Sequence, residues 1–252
     1  MTSIEDLTKL AQKLAAEGPH KCEATPRRVR GLLNGKYVFD TINAYHVWEH
    51  PYYPQLYIPL TSLTPSATYT QTARVPHTDG NIHYGTLTVG TKTTSPILLI
   101  RTPQIPSLLK IPFAELDQWF EEDAPILPPH PKDPYKRIAI LPSSRSVKVS
   151  LSGVTLAEAP NPLFLLETML RPRYYLPPTT VKWEFLRESE TVMYCPYKGK
   201  ANYYHVEIGG KVYKDLVWYY QYPTQESALI GGYMCFYNEK VDVWVDGVRE
   251  ER

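Results

Sequence analysis

Hydrophobic and polar residues alternate along most of this chain. Val147, Val149 and Leu151 sit between polar neighbours and lead into Ser152-Gly153, and residues 28–33 lead into Asn34-Gly35. A period of two sends successive side chains to opposite faces of a strand, and a two-residue link of this kind marks a hairpin. The pattern recurs where residues 204–208 enter Gly209-Gly210 and where Val241, Val243 and Val245 reach Asp246-Gly247. The predicted class is mainly β, with hairpin-built antiparallel domains that are barrel-like or sandwich-like. Helical periodicity is sparse. Ser3 with Asp6 has the form of a capping box, and Ile4, Leu7, Leu10, Ala11 and Leu14 share one face before Gly18. These features predict one short N-terminal helix packed on the domain that follows. A second short helix is predicted over residues 224–230, before Gly231-Gly232. Residues 113–122 have helical propensity, but their repeat counterpart is a strand, and the strand reading is preferred.

The chain repeats itself. Residues 29–60 lie on residues 147–178 without a gap, at an offset of 118. Gly35 falls on Gly153, Asn43 on Asn161, Glu49 on Glu167, Pro54 on Pro172 and Tyr57 on Tyr175. At an offset of 119, Gly80 meets Gly199 and Tyr84 meets Tyr203; at 125, Asp117 and Trp119 meet Asp242 and Trp244. Similarity at both ends of the unit identifies a tandem duplication. The expected organisation is a helix and lead-in over residues 1–26, a divergent β domain over 27–123, a linker over 124–144 and a second β domain over 145–252. Six prolines between Pro125 and Pro142 predict that the linker is a stiff, extended spacer.

The second copy carries Glu167-Thr168, Arg173-Tyr174-Tyr175-Leu176-Pro177 and the run from Cys195-Pro196-Tyr197-Lys198-Gly199 to Tyr204. With Ala228-Leu229-Ile230-Gly231-Gly232 and residues 241–247, these segments resemble the domain-of-unknown-function 427 family in its two-copy form. The resemblance covers essentially all of residues 145–250, and the first copy matches more loosely. It implies a compact, mostly β domain. A nucleotidyltransferase label is sometimes attached to that family, but this chain has no Gly-rich phosphate loop before a helix and no paired metal-binding aspartates.

Composition narrows the function classes. The 252 residues favour two domains, and 27 basic against 26 acidic side chains create no field that would draw nucleic acid or an anionic membrane. No apolar run approaches the roughly 20 residues of a membrane span. Met1-Thr2-Ser3-Ile4-Glu5-Asp6 is acidic where a secretory leader would be basic, and three cysteines without Cys-x-x-Cys spacing suit a reducing compartment. The expectation is a cytoplasmic, soluble protein that acts on a small molecule without a redox cofactor or metal. The 20 tyrosines and 24 prolines fit half-buried sheets and strand ends.

The candidate chemistry centres on two equivalent carboxylates, Glu49 and Glu167, each ending an apolar run. A carboxylate there is either a general acid or base, or a structural pin bonded to Arg27 or Arg145. Lys198, in the turn Pro196-Tyr197-Lys198-Gly199, is either aimed at a pocket or an exposed turn residue. Its counterpart in the first copy is Asp79, so any lysine-dependent step is expected in the second copy alone, and any functional site in the second copy or at the interface between copies. Tyr175 and Tyr203 are candidate oxyanion donors, with Tyr197, Trp218 and the first-copy Glu49 and Tyr57 as binding residues and Arg145 orienting Glu167. Cys195 is either a nucleophile or a small buried hydrophobe. His77, Asp79 and His83 are either metal ligands or an ordinary polar loop. The leading expectation is proton-transfer chemistry of the isomerase, dehydratase or cyclase type. The alternatives are a non-catalytic module that binds a small molecule or anion, and a duplicated scaffold.

Overall fold

A computed structural model describes residues 3–251. Met1 and Thr2, read above with the N-terminal segment, lie outside the described residues. The chain divides into two compact units, the first ending at Asp133 and the second beginning at Pro134. Both are antiparallel and mainly β, each with a large and a small sheet, and among the described residues no sheet closes into a barrel.

The large sheets share one strand order. In the first unit it runs Lys21–Ala24, Tyr45–Trp48, Gln55–Pro59, Ile105–Lys110, Ile97–Thr102, Ile82–Val89 and Thr68–Arg74, with the short Lys92–Thr93 paired to Ile82–Val89. In the second it runs Ile138–Pro142, Leu163–Glu167, Arg173–Leu176, Met234–Phe236, Lys211–Pro223, Gly199–Ile208 and Leu186–Cys195. The small sheets correspond as well: Val29–Leu33 lies between Lys36–Thr41 and Gln118–Glu121, and Val147–Leu151 between Val154–Ala159 and Asp242–Val245. Asn34-Gly35 and Ser152-Gly153 make the hairpin turns with both residues at positive φ, 51° and 71° in one and 51° and 81° in the other. That twist matches the flanking strands.

Two sequence boundaries shift. Residues read as lead-in and as linker each supply the first strand of a large sheet: Lys21–Ala24 pairs with Tyr45–Trp48, and Ile138–Pro142 with Leu163–Glu167. The spacer reading followed proline content, but Ile138, Ala139, Ile140 and Leu141 are four consecutive non-proline residues with free N–H donors and apolar side chains. Residues 113–122 form a single 3-10 turn, Phe113–Glu115, and the strand Gln118–Glu121. The second predicted helix is 3-10, over Gln225–Ile230.

Each large sheet is apolar on both faces. One face packs on the small sheet, with Val29, Phe39, Ile58, Leu99 and Trp119 in the first core and Val147, Leu176, Val206, Phe236 and Val243 in the second. The other face differs between units. In the first, the helix Ile4–Ala16, closed by the reciprocal Ser3/Asp6 capping box, seats Leu7, Ala11 and Leu14 on Val47, Tyr57, Ile82, Leu98 and Ile100. In the second, the equivalent surface gathers Leu165, Tyr175, Ala201, Tyr203, Trp218 and Tyr220. Among the described residues, no helix is long and apolar enough to cross a membrane.

Gly31 marks the tightest approach in the first core, because a β-carbon there would lie 2.3 Å from Phe39 Cζ and 2.6 Å from Leu116 Cδ1. Gly31→Ala is therefore expected to destabilise the first unit by about 1–3 kcal/mol through overpacking. Urea unfolding checks this; an unchanged midpoint would show that the core yields at no cost.

Candidate functional site

The strand Leu163–Glu167 ends on a carboxylate beside the edge strand Ile138–Pro142, where Ile138 is the register partner of Glu167. Burial of Glu167 demands a cation, and two arrive. Lys198 Nζ donates to Glu167 Oε2 at 2.5 Å, and Lys136 Nζ stands 3.4 Å from Oε1. Both ammonium groups are themselves largely buried.

The turn that delivers Lys198 is held from several sides. Lys198 N–H donates to Cys195 O at 3.3 Å, Thr224 N–H donates to Lys198 O at 3.1 Å, and the hydroxyls of Thr224 and Ser227 both donate to Tyr197 O. Gly199 has φ +106°, and a β-carbon there would meet Tyr222 O at 3.2 Å. Glycine is needed at that point for the lysine to turn inward.

Above the ion pair lies a pocket of about 180 Å³ lined by Glu167, Arg171, Arg173, Tyr175, Lys198, Tyr203, Trp218, Tyr220 and Tyr237, with Leu165 and Leu170. Strand alternation chooses among the aromatic residues. Arg173 and Tyr175 share one face of Arg173–Leu176, as do Trp218 and Tyr220 on Lys211–Pro223, and these line the pocket. Tyr174, Tyr204 and Tyr219 point the other way, toward the inter-sheet core. Trp218 Nε1 donates to the Tyr175 hydroxyl at 3.2 Å, leaving the phenol O–H to donate. Arg173 is clamped by Glu239 through hydrogen bonds of 2.8 and 2.7 Å and lies 5.6 Å from the centre of the Trp218 ring. Burial lifts the phenols of Tyr175, Tyr203 and Tyr220 above the usual tyrosine range, and burial likewise raises the Cys235 thiol. These groups are proton donors at neutral pH, not bases.

Of the residues singled out from sequence, Glu167, Lys198, Tyr175, Tyr203 and Trp218 meet in this pocket. Arg145 does not orient Glu167: its guanidinium donates to Asp246 Oδ2 at 2.6 Å on an exposed hairpin. Arg27 likewise pairs with Glu121 at 2.7 Å instead of Glu49. The reason is topological, since both arginines precede the first strand of a small sheet, while Glu167 ends, and Glu49 directly follows, a strand of the large one. Tyr197 is buried beside the pocket, its backbone pinned as above and its ring 5.7 Å from Lys136 Nζ. Cys195 Sγ lies 3.9 Å from Lys198 Nζ, while His205 is turned away to Asp215. His77 and Asp79 occupy positive-φ positions in an exposed loop, and no group of three or more His, Cys, Asp or Glu among the described residues is placed to hold a metal ion.

Sequence reasoning missed Lys136, Arg171, Arg173 and Tyr237. Period two would have found Arg173 beside Tyr175. Lys136 was hidden by the spacer reading.

The first unit also gives its carboxylate a lysine, although not from the Asp79 position. Asp79 is exposed, but Lys110 Nζ lies 2.5 Å from Glu49 Oε1, and the Tyr57 hydroxyl donates to the same oxygen at 3.1 Å. Lys110 is the register partner of Tyr57; the register partner of Tyr175 is Cys235. The lysine thus comes from the position that Cys235 fills in the second copy, on a neighbouring strand instead of a turn. Glu49 and Tyr57 therefore belong to a separate cluster within the first unit.

A family model described as domain of unknown function (DUF427) matches residues 21–103 and 139–247. The first segment begins at the edge strand Lys21–Ala24 and the second within Ile138–Pro142, so each contains one copy of the repeat. No curated protein matches the chain.

Removing one member of a buried pair strands the other. Glu167→Gln and Lys198→Met are each expected to lower unfolding free energy by about 3–5 kcal/mol, whereas Glu167→Leu combined with Lys198→Met recovers more than half of that loss. Denaturant unfolding of the three variants checks this, and a double variant less stable than either single one contradicts it. Tyr175 is also expected to stay protonated at about pH 10, where a free phenol is half ionised. In an ultraviolet phenolate titration, Tyr175→Phe should therefore remove no absorbance change up to about pH 11.

Proposed function

Because the chain belongs to the family described as domain of unknown function (DUF427), the geometry of the site is the guide to its chemistry, and we propose that the second domain is a small-molecule enzyme that moves a proton on an unsaturated or 2-oxo carboxylate. The observation that carries this reading is the buried Glu167–Lys198 pair at the floor of a pocket with phenols on its walls and two arginines on its lining. Arg171, Arg173 and Lys198 line the pocket with Glu167, and Glu239 pairs with both arginines, so three cations stand against two carboxylates and the balance favours an anionic ligand. The volume of about 180 Å³ lies below the usual drug-sized range of about 300–1,000 Å³, which favours a compact metabolite.

In the proposed step the ligand carboxylate engages Arg171 and Arg173, and its carbonyl oxygen draws Lys198 away from Glu167. Glu167 then takes a proton from the carbon beside the carbonyl. The C–H electron pair moves to the carbonyl oxygen as an enolate, which the Lys198 ammonium and the Tyr175 or Tyr203 hydroxyl stabilise by donation. Return of the proton to the far carbon of a conjugated double bond completes an isomerisation; departure of a β-hydroxyl, which takes a proton from Lys198 and leaves as water, completes a dehydration, after which the proton on Glu167 passes to Lys198 and restores the pair. No redox cofactor enters either course. Free thiols at Cys22, Cys195 and Cys235 suit a reducing cytoplasmic setting.

A binding-only reading has one observation in its favour: Glu167 and Lys198 already satisfy each other at 2.5 Å, as in a preformed anion-recognition site. Exchange of the C3 protons of 2-oxobutyrate in deuterated water, followed by proton NMR, separates the two. The enzyme reading expects exchange that Glu167→Gln slows by about 10²–10⁴-fold. Equal exchange in both proteins overturns it, and saturable benzoate binding without enzyme-dependent exchange supports the module.

A further inference from the structure

The first unit contains a cavity of about 570 Å³ with the Glu49–Lys110 pair among its lining residues, and the second-domain chemistry makes no use of it. We infer that this cavity is a separate ligand site for an uncharged, flat, apolar-bodied molecule bearing a carboxamide-type head group.

The pair itself is the first argument. A buried ion pair often contributes no more to stability than an apolar replacement of the same volume. Yet both copies place an ammonium 2.5 Å from the equivalent carboxylate while drawing the lysine from different backbone positions, Lys110 on a strand and Lys198 on a turn. Packing alone would be met by a second Cys235-like residue. An ammonium donor beside a carboxylate acceptor is complementary to an amide, with C=O received by Lys110 and N–H by Glu49. The Tyr57 hydroxyl, donating to Glu49 at 3.1 Å, fixes the carboxylate's orientation.

Charge and size separate this site from the other. At the repeat offset of 118, the second unit's Arg171 and Arg173 are replaced by Tyr53 and Gln55, and Gln55 lines the cavity. Asp6 from the N-terminal helix adds a second carboxylate to Glu49, against one cation, Lys110. The balance that favours an anion in the second unit disfavours one here. Leu7 and Leu10 of the helix, with Pro112, Phe113, Pro128 and Pro129, form apolar walls suited to a planar body. The volume is about 570 Å³ against about 180 Å³ in the other pocket, so the ligand is larger.

The probe is 2-naphthamide, titrated into the full chain by its fluorescence, with 2-naphthoate as the charged isostere. The wild-type protein is expected to bind the amide at least tenfold more tightly than the acid. Ala114 lies exposed on the cavity lining, so Ala114→Trp narrows the cavity without touching the ion pair. That variant and Lys110→Met should each weaken 2-naphthamide binding tenfold or more, while Lys198→Met leaves it unchanged. Equal or tighter binding of 2-naphthoate overturns the proposal, as does absence of amide binding or its survival in Ala114→Trp. Benzoate binding, sensitive to Lys198→Met and insensitive to Ala114→Trp, reports on the second-domain reading alone, so either proposal can fail without the other.

Discussion

A carboxylate buried at the end of a strand has to be neutralised, and much of the organisation of both units follows from that requirement. Glu49 and Glu167 occupy equivalent strand ends, and each draws a lysine to 2.5 Å. An ionised carboxyl left unpaired there would cost several kcal/mol. In the second unit the demand explains why the turn around Lys198 is held by Thr224, Ser227 and Cys195, and why Gly199 sits at φ +106°. In the first it explains a buried charged residue, Lys110, at the end of the strand Ile105–Lys110.

The second organising fact is that each large sheet is apolar on both faces, while the small sheet covers only one. The first unit covers the remaining face with a helix whose Leu7, Ala11 and Leu14 are fully buried. The second covers it with its own aromatic side chains and leaves a recess above the ion pair. The same backbone therefore offers a small, cationic, phenol-walled pocket in one copy and a larger, weakly acidic, apolar cavity beside a helix in the other. Duplication preserved the scaffold and the charge pair; the covering elements diverged.

The phenols illustrate how burial sets chemical role. Tyr175, Tyr203 and Tyr220 are all held protonated by desolvation, so their contribution to a site is donation of a hydrogen bond. In the proposed enzyme, proton abstraction falls to Glu167. That division of labour suits a developing enolate and equally suits tight recognition of a carboxylate ligand.

The mainly β class, the hairpins at Asn34-Gly35 and Ser152-Gly153, the capped N-terminal helix and the duplication were legible from sequence, because periodicity and turn chemistry are written in contiguous residues. So was the candidate pair Glu167 and Lys198, through the repeat and the inward-turning Pro-Tyr-Lys-Gly segment. Tertiary structure alone decided which cation each carboxylate receives. Arg145 went to Asp246, Lys136 emerged from a segment read as spacer, and Lys110 met Glu49 across a register that joins residues far apart in the chain. Pairing between distant strands selects such partners, and local sequence carries no record of that register.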